Sequence, residues 1–299
     1  MTAGAVALIT CSMAKDLDLF AILARSVDEC VDEDIVHHVI VPGREIGAFR
    51  GFGSARRRII AQEDVLPLKV LALPRFLKAL APVAPVFRRP LYLDRRLRLV
   101  RGWIIQQLIK IETSRAAPQK AVVHVDSDVF FVRRLSAGDI LDGDRVRFFR
   151  AGGAGEIPVH REWSEAAARA VGAGAPPSGA HYIENCVIWS PGVVRDLVAR
   201  IEAVHGRPWH EALRDAGSFS EYFVYGVYAD LVRGGAGLSA SDASLCHSYW
   251  DAAPIGPGDM ARHLGLMRAH HRAVAVQSTH AFTAQARRAL YDACRERAA

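Results

Sequence analysis

The chain has 299 residues, a formal net charge of +6, 51% hydrophobic and 23% charged residues, a balance that supports a sizeable folded core and argues against disorder. No apolar run approaches the roughly 20 residues that a membrane span needs. Five cysteines without a CxxC pair point away from a zinc ribbon or a disulfide framework and fit a reducing cytoplasm. The excess charge is arginine, with only five lysines (Lys15, Lys69, Lys78, Lys110 and Lys120), and the guanidinium fork suits phosphate and carboxylate groups. The clusters Arg56-Arg57-Arg58 and Arg88-Arg89 read first as solvated surface. Anionic lipid or an acidic sugar polymer is the alternative partner, and the lack of a zinc finger or an RNP-like motif argues against nucleic acid.

The N-terminus has no basic start, so it does not read as a signal peptide, and residues 5–10 (AVALIT) read as a buried strand. Residues 16–30 read as a helix, because Leu17, Phe20, Leu23, Ala24 and Val27 recur at helical spacing. Residues 37–42 (HHVIVP) give a second strand that stops at Pro42-Gly43, so the chain begins β-α-β, the start of a doubly wound sheet. Residues 66–74 read as a third strand or an extended segment, and the proline-rich stretch 81–93 as a surface excursion. An amphipathic helix is predicted over 96–112, with Leu97, Val100, Ile104, Leu108 and Ile111 as its core stripe and Arg101 and Gln107 flanking it at a pocket edge. Residues 120–131 read as one strand. Glycine-rich segments at 151–156 and 172–179 bracket a short helix carrying His160, Arg161, Trp163 and Glu165. A strand at 182–189, a helix from Pro191 to about His205, a helix over 218–233, strand-like segments near 244–249 and 273–279 and an arginine-rich final helix complete the chain.

The most informative stretch is Val122-Val123-His124-Val125-Asp126-Ser127-Asp128. A buried strand delivers two carboxylates to its C-terminal end, the edge where open α/β sheets bind ligands. Residues i and i+2 of a strand share a face, and neighbouring carboxylates repel unless a hard divalent cation relieves them. Mn²⁺ or Mg²⁺ there would also neutralise a diphosphate leaving group.

Trp103-Ile-Ile-Gln-Gln-Leu, Val125-Asp-Ser-Asp, Tyr182-Ile-Glu-Asn, Gly206-Arg-Pro-Trp209, Ser218-Phe-Ser-Glu-Tyr222 and His247-Ser-Tyr-Trp250 together resemble the GT-A superfamily of nucleotide-diphospho-sugar transferases, and more narrowly a bacterial family of GT-A-like proteins. The resemblance implies one α/β domain over 1–299, a Rossmann-like, mostly parallel mixed sheet flanked by helices. Its nucleotide-binding half would be about 1–135 and its acceptor-binding half about 136–299. It implies a sugar-nucleotide donor, with UDP favoured, and a divalent metal on Asp126 and Asp128; it supplies neither the sugar nor the acceptor, which for such a transferase is a glycan or other hydroxyl compound. Thr10, Cys11, Arg101, Gln107, Asp126 and Ser127 are the expected donor-side residues. The same resemblance suggests surface polysaccharide synthesis in the cytoplasm, with peripheral contact at the inner face of the membrane left open.

Inverting transfer needs a base for the acceptor hydroxyl. Glu221 matches the family position, although Ser218-x-x-Glu221 is also the pattern of a helix capping box; Glu184 and Asp230 are the competing carboxylates. GT-A metal sites often recruit a late histidine, here His247 first and His280 second. His160, Trp163, Trp189, Tyr222 and Tyr225 are the candidate acceptor contacts, with Trp250 a further aromatic able to stack on a sugar or base. Two rivals remain. A haloacid-dehalogenase-like phosphohydrolase also places D-x-D after an apolar strand, but it usually needs a downstream lysine, and none follows Lys120. A sugar-binding module on the same fold would keep the site and lose turnover.

Overall fold

A computed structural model describes residues 4–73, 91–153, 157–176, 179–250, 257–277 and 283–298. In chain order the first elements are β1 (Val6–Cys11), α1 (Leu17–Cys30), β2 (Val36–Val41), α2 (Ile46–Phe49), β3 (Arg57–Ala61), α3 (Gln62–Val65), β4 (Val70–Ala72), β5 (Leu91–Asp94), β6 (Leu99–Arg101), α4 (Gly102–Ala116), β7 (Ala121–Val125) and β8 (Val129–Phe131). There follow β9 (Leu141–Asp142), β10 (Arg145–Phe149), α5 (Pro158–Val171), β11 (Cys186–Trp189), α6 (Pro191–His205), α7 (Trp209–Asp215), α8 (Glu221–Val227), β12 (Leu238–Ser241), β13 (Cys246–Tyr249), α9 (Pro257–Gly265), β14 (Ala273–Val276) and α10 (Ala284–Ala298).

The fold is α/β, with a mostly parallel mixed sheet flanked by helices. The central sheet has the order β11-β7-β1-β2-β3. Its strands β7, β1, β2 and β3 run parallel, and β11 joins antiparallel beside β7, with Cys186 opposite Val125. All five residues of β7 are buried, as expected of a strand covered on both faces. One apolar cluster runs from Val6 of β1 to Ala275 of β14, so the core is shared by elements from both halves of the chain. Gly226 of α8 lies against the Tyr182 ring so closely that any Cβ there would fall 2.2 Å from it.

Several predicted elements shift. The strand expected over 120–131 is broken: β7 ends at Val125, residues 126–128 turn, and β8 joins a separate sheet with β14 and β13. Arg57 is buried on β3, where its guanidinium bonds Asp28, the Ala24 carbonyl and His37 Nδ1, so the expected solvated Arg56-Arg57-Arg58 surface does not form at its centre. Within the segment expected as a third strand, Val70–Ala72 form β4 in a small antiparallel sheet with β5 and β6, and residues 91–93 belong to β5. Arg88-Arg89 lies outside the described residues.

The helix expected over 96–112 begins instead at Gly102. Asp94 Oδ1 accepts from the amides of both Arg96 and Arg98 at 2.8 Å, and the Leu97 amide donates to the Asp94 carbonyl. This closes a three-residue hairpin loop whose last position is left-handed, usually glycine but here Leu97 at φ 59°. Leu97 is therefore exposed and forms no core stripe.

Candidate functional site

The carboxyl ends of β7, β1, β2 and β3 line a cleft of about 520 Å³. Asp126, Ser127 and Asp128 lie at one end, Cys11, Ser12 and Met13 follow β1, Ile40 and Pro42 close β2, and Gln62 follows β3. Lys15 and Asp16 before α1, Tyr92 of β5 and Trp103 of α4 also line it. Because β1 and β7 are hydrogen-bonded neighbours, the turns after them meet directly: Ser127 Oγ donates to Ser12 Oγ at 2.8 Å.

Asp126 is two-faced. Its Oδ1 is buried without a hydrogen bond and lies 3.3 Å from Lys110 Nζ, while the side chain keeps 39% of its exposure and lines the cleft. The ammonium of Lys110, only 5% exposed, also lies 3.4 Å from Glu221 Oε1 and donates to the Tyr222 hydroxyl at 2.6 Å. Burial alone would lower the Lys110 pKa, but Asp126, Tyr222 and Glu221 carry it well above the ordinary lysine value, so the ammonium stays charged. The same burial raises the pKa of the Glu221 carboxyl, with Lys110 opposing.

Glu221 is the first residue of α8, and Ser220, not Ser218, holds the cap position without a side-chain cap bond. The capping box is therefore not formed. The Glu221 amide donates to Gln107 Oε1 at 2.8 Å, and its carboxylate turns to Lys110 behind the cleft wall. Gln107 is accordingly a buried support for α8, not a pocket edge. Arg101 is exposed, donates to the Gly217 carbonyl and does not line the cleft. Thr10 is fully buried, its hydroxyl 2.9 Å from His37 Nε2, and it lies beneath the cleft floor. Arg57 Nε donates to His37 Nδ1, so the His37 proton sits on Nε2 and points to Thr10. Cys11 does line the cleft, with its thiol pKa pushed up to about 12 by burial.

The expected acceptor residues divide. Trp189 and Tyr225 are core: their rings stack at 4.9 Å and both are buried, because β11 packs its tryptophan against α8. Tyr222 is held by Lys110. His160 and Trp163 of α5 stack at 5.4 Å, and Trp163 lies 5.7 Å from the cleft residue Trp103, so these rings continue the cleft wall toward α5. Trp250 is exposed. Glu184 accepts from Ser244 Oγ and the Leu245 amide and is buried, which raises its pKa to about 7. Asp230 is taken by Arg150 and the Tyr182 hydroxyl.

His247 Nε2 donates to the His263 carbonyl at 2.7 Å, and its ring stacks on His263 at 3.9 Å. This placement follows from β13 joining β14 rather than the central sheet. Among the described residues, no group of three or more His, Cys, Asp or Glu side chains is gathered as a metal site; His280 lies outside the described residues. Two carboxylates nonetheless fit Mg²⁺ or Mn²⁺, which commonly take one or two protein carboxylates and complete their shell with phosphate oxygens and water. The solvent-facing part of the Asp126 carboxylate, away from Lys110, and the shared cleft placement of Asp126 and Asp128 suit that donor set. Arg287 of α10, whose pKa burial lowers and Asp128 props up, donates to the Val276 and Gln277 carbonyls next to this turn.

Sequence reasoning missed Lys110, Trp103, Gln62 and Tyr92. The signal for Lys110 was present: Trp103, Gln107, Lys110 and Ser114 recur at spacings of about four and three, one face of a helix, and that face meets the end of β7 through Asp126 and His124.

No curated protein matches the sequence. Solved structures similar to the chain include the galactosyltransferase LgtC in complex with donor and acceptor sugar analogs, at 15% identity over 96% of this chain and 95% of that one, with a TM-score of 0.47. Mouse xyloside xylosyltransferase 1 in its apo form is another, at 10% identity over 90% of this chain and 97% of that one, with a TM-score of 0.49. No helix among the described residues is long and apolar enough to cross a membrane. A family model matches residues 2–283, and on that match the chain belongs to DUF6492, a family of unknown function.

Proposed function

We propose that the chain is a GT-A-type glycosyltransferase that binds a nucleotide-diphosphate sugar, with UDP favoured, in this cleft and moves the sugar to a hydroxyl acceptor. One observation carries the reading: Asp126 and Asp128 line the same cleft as the carboxyl ends of β1, β2 and β3. The sequence resemblance to GT-A transferases supports it independently.

Asp126 and Asp128 would hold the divalent cation, which when bound supplies charge neutralisation to a diphosphate leaving group. Lys110, 3.3 Å away, lies against the inner oxygen of Asp126 and leaves the rest of that carboxylate facing the cleft. From β7 to β3 the cleft floor crosses three strand spacings of about 4.8 Å, roughly 14 Å. That length accommodates a nucleoside diphosphate lying along the sheet edge, phosphates at Asp126 and base at Gln62. The Gln62 amide is oriented by Glu63: its Nε2 lies 3.3 Å from Glu63 Oε1 and 3.4 Å from the Tyr92 hydroxyl. Its carbonyl oxygen then accepts from a base N–H, and the Tyr92 hydroxyl donates to a base carbonyl. Trp103, Trp163 and His160 offer ring faces for the acceptor sugar.

An inverting course through Glu221 as base requires that carboxylate to leave Lys110 and reach the acceptor. We favour a second role, in which Glu221 is the fixed counter-charge of Lys110. The overall reading is tested by calorimetry and turnover on a nucleotide-sugar panel with Mn²⁺. A transferase binds and turns over a sugar nucleotide, a phosphohydrolase releases inorganic phosphate from simple phosphate esters, and a binding module binds without turnover.

A further inference from the structure

We propose that the outer face of the small β4–β5–β6 sheet docks onto an anionic lipid bilayer. Leu71 of β4 is paired across from Leu93 of β5, and Leu93 from Leu99 of β6. Residues directly opposite in an antiparallel sheet project from the same face, so the three leucines form one cross-strand row. Leu71 keeps 69% and Leu99 53% of its exposure, and Leu97 at the hairpin tip keeps 77%. The opposite face is buried, with Tyr92 and Val100 turned inward. The alternation is that of a sheet with one face in the core, yet its outer face is apolar instead of polar.

The tip strengthens the case. Leu97 occupies a left-handed position where glycine or asparagine fits without strain, so a large apolar side chain is presented to solvent at a site that does not favour it. Next to the leucines along the chain come Lys69, Arg95, Arg96 and Arg101, all exposed; Lys69, Arg95 and Arg96 also border a small pocket with Asp94, Glu211 and Arg214, and Arg101 donates to the Gly217 carbonyl. Arg96 is 3.7 Å from Glu211, and Arg98 is paired with Asp94 and Asp215; Lys69 and Arg95 take part in no ion pair among the described residues. An apolar row flanked along the chain by exposed cations matches the headgroup boundary of an anionic membrane, where leucines enter the acyl edge and the long basic side chains reach phosphate. A soluble protein partner of matching acidity would meet the cations but would need its own apolar row. The lipid surface satisfies both features at once.

The placement gives the contact a use. Tyr92 on the inner face lines the cleft, and β6 runs directly into Gly102 and Trp103 of its wall. A bilayer on the outer face would bring lipid-linked molecules to the rim of that cleft. Vesicle binding itself does not depend on the transferase reading, so the two stand or fall separately.

The test is co-sedimentation of the full chain with phosphatidylcholine vesicles and with vesicles containing about 30% phosphatidylglycerol. The wild type should sediment with the anionic vesicles only, and lose most of that binding when salt is raised to about 0.5 M. Leu71→Ser/Leu99→Ser should weaken binding at least about tenfold while preserving the melting transition. Arg95→Gln/Arg96→Gln, which alters only exposed side chains, should weaken it by about 25-fold, at about fivefold for each basic residue near the surface. Three results would overturn the proposal: a wild type that stays in the supernatant with anionic vesicles at low salt, folded variants that bind like the wild type, or a wild-type dimer that the leucine changes dissolve while vesicle binding is absent.

Discussion

Lys110 Nζ lies 3.3 Å from Asp126 Oδ1, behind the wall of the cleft that Asp126 lines. The second carboxylate on this ammonium, Glu221, is as deeply buried as the lysine itself. A buried cation shared by two carboxylates is costly to break on one side, because the remaining charge is left uncompensated. Lys110→Met should therefore destabilise the fold by roughly 3–5 kcal/mol in urea titration. Adding Glu221→Gln should recover part of that loss. Strictly additive effects in the double-mutant cycle would show that the two groups do not interact.

The same geometry separates the two roles of Glu221. As a counter-charge, Glu221→Gln should leave turnover within about tenfold of wild type and donor affinity unchanged, since the amide keeps the size and the backbone bond from the Glu221 amide to Gln107. As a general base its loss should reduce kcat on the order of 10²–10⁴. Acceptor-saturated kinetics distinguishes these ranges, and a fall in the larger one restores Glu221 to the mechanism.

Glu184 should make stability depend on pH. Its carboxyl is buried, with a pKa near 7 against an ordinary value of 4.5. A carboxyl raised on folding contributes stability that is fully present below the unfolded value and is lost as pH rises through the folded one. Between about pH 4.5 and 7.5 the wild type should thus lose up to roughly 3 kcal/mol that Glu184→Gln does not lose. The two proteins should converge in acid, and the glutamine variant should be the more stable at pH 8. Parallel melting curves across this range would remove Glu184 as the cause.

Gln62 should govern base preference. Gln62→Leu removes the oriented carbonyl while leaving Asp126 and Asp128 in place. Binding of UDP should weaken about tenfold, the scale of one lost hydrogen bond to a buried group, and the preference among UDP, GDP, ADP and CDP should flatten. Calorimetry with all four nucleotides reads both effects. An unchanged ranking in the folded variant would put the base elsewhere in the cleft.

Much of this architecture was legible in the chain. The runs at β1, α1 and β2 carry the periodicity of their elements, and Asp126 follows an apolar strand that the sheet places next to β1. The start of α4 was misread because Leu97 and Val100 fit the helical spacing to Ile104; the competing signal was Asp94, whose carboxylate captures two amides and turns the chain first. Arg57 looked solvated because its partners, Asp28 and His37, come from α1 and β2. Lys110 escapes notice for a related reason: it shares a helix face with Trp103, Gln107 and Ser114, but Asp126, Glu221 and Tyr222 meet it only once β7 and α8 pack on α4. His247, next to aromatic residues, looked like a late metal ligand, yet β13 carries it into a histidine stack instead.

The most direct measurement is Mn²⁺-dependent binding of UDP and a UDP-sugar panel to the wild type, Asp126→Asn and Asp128→Asn, with folding of each verified by thermal melting. The account predicts metal-dependent binding and sugar transfer or donor hydrolysis by the wild type, with affinity in the presence of Mn²⁺ falling by about a hundredfold or more in either variant. A folded wild type that binds no sugar nucleotide with Mn²⁺, or variants that bind it as tightly as the wild type, would contradict it.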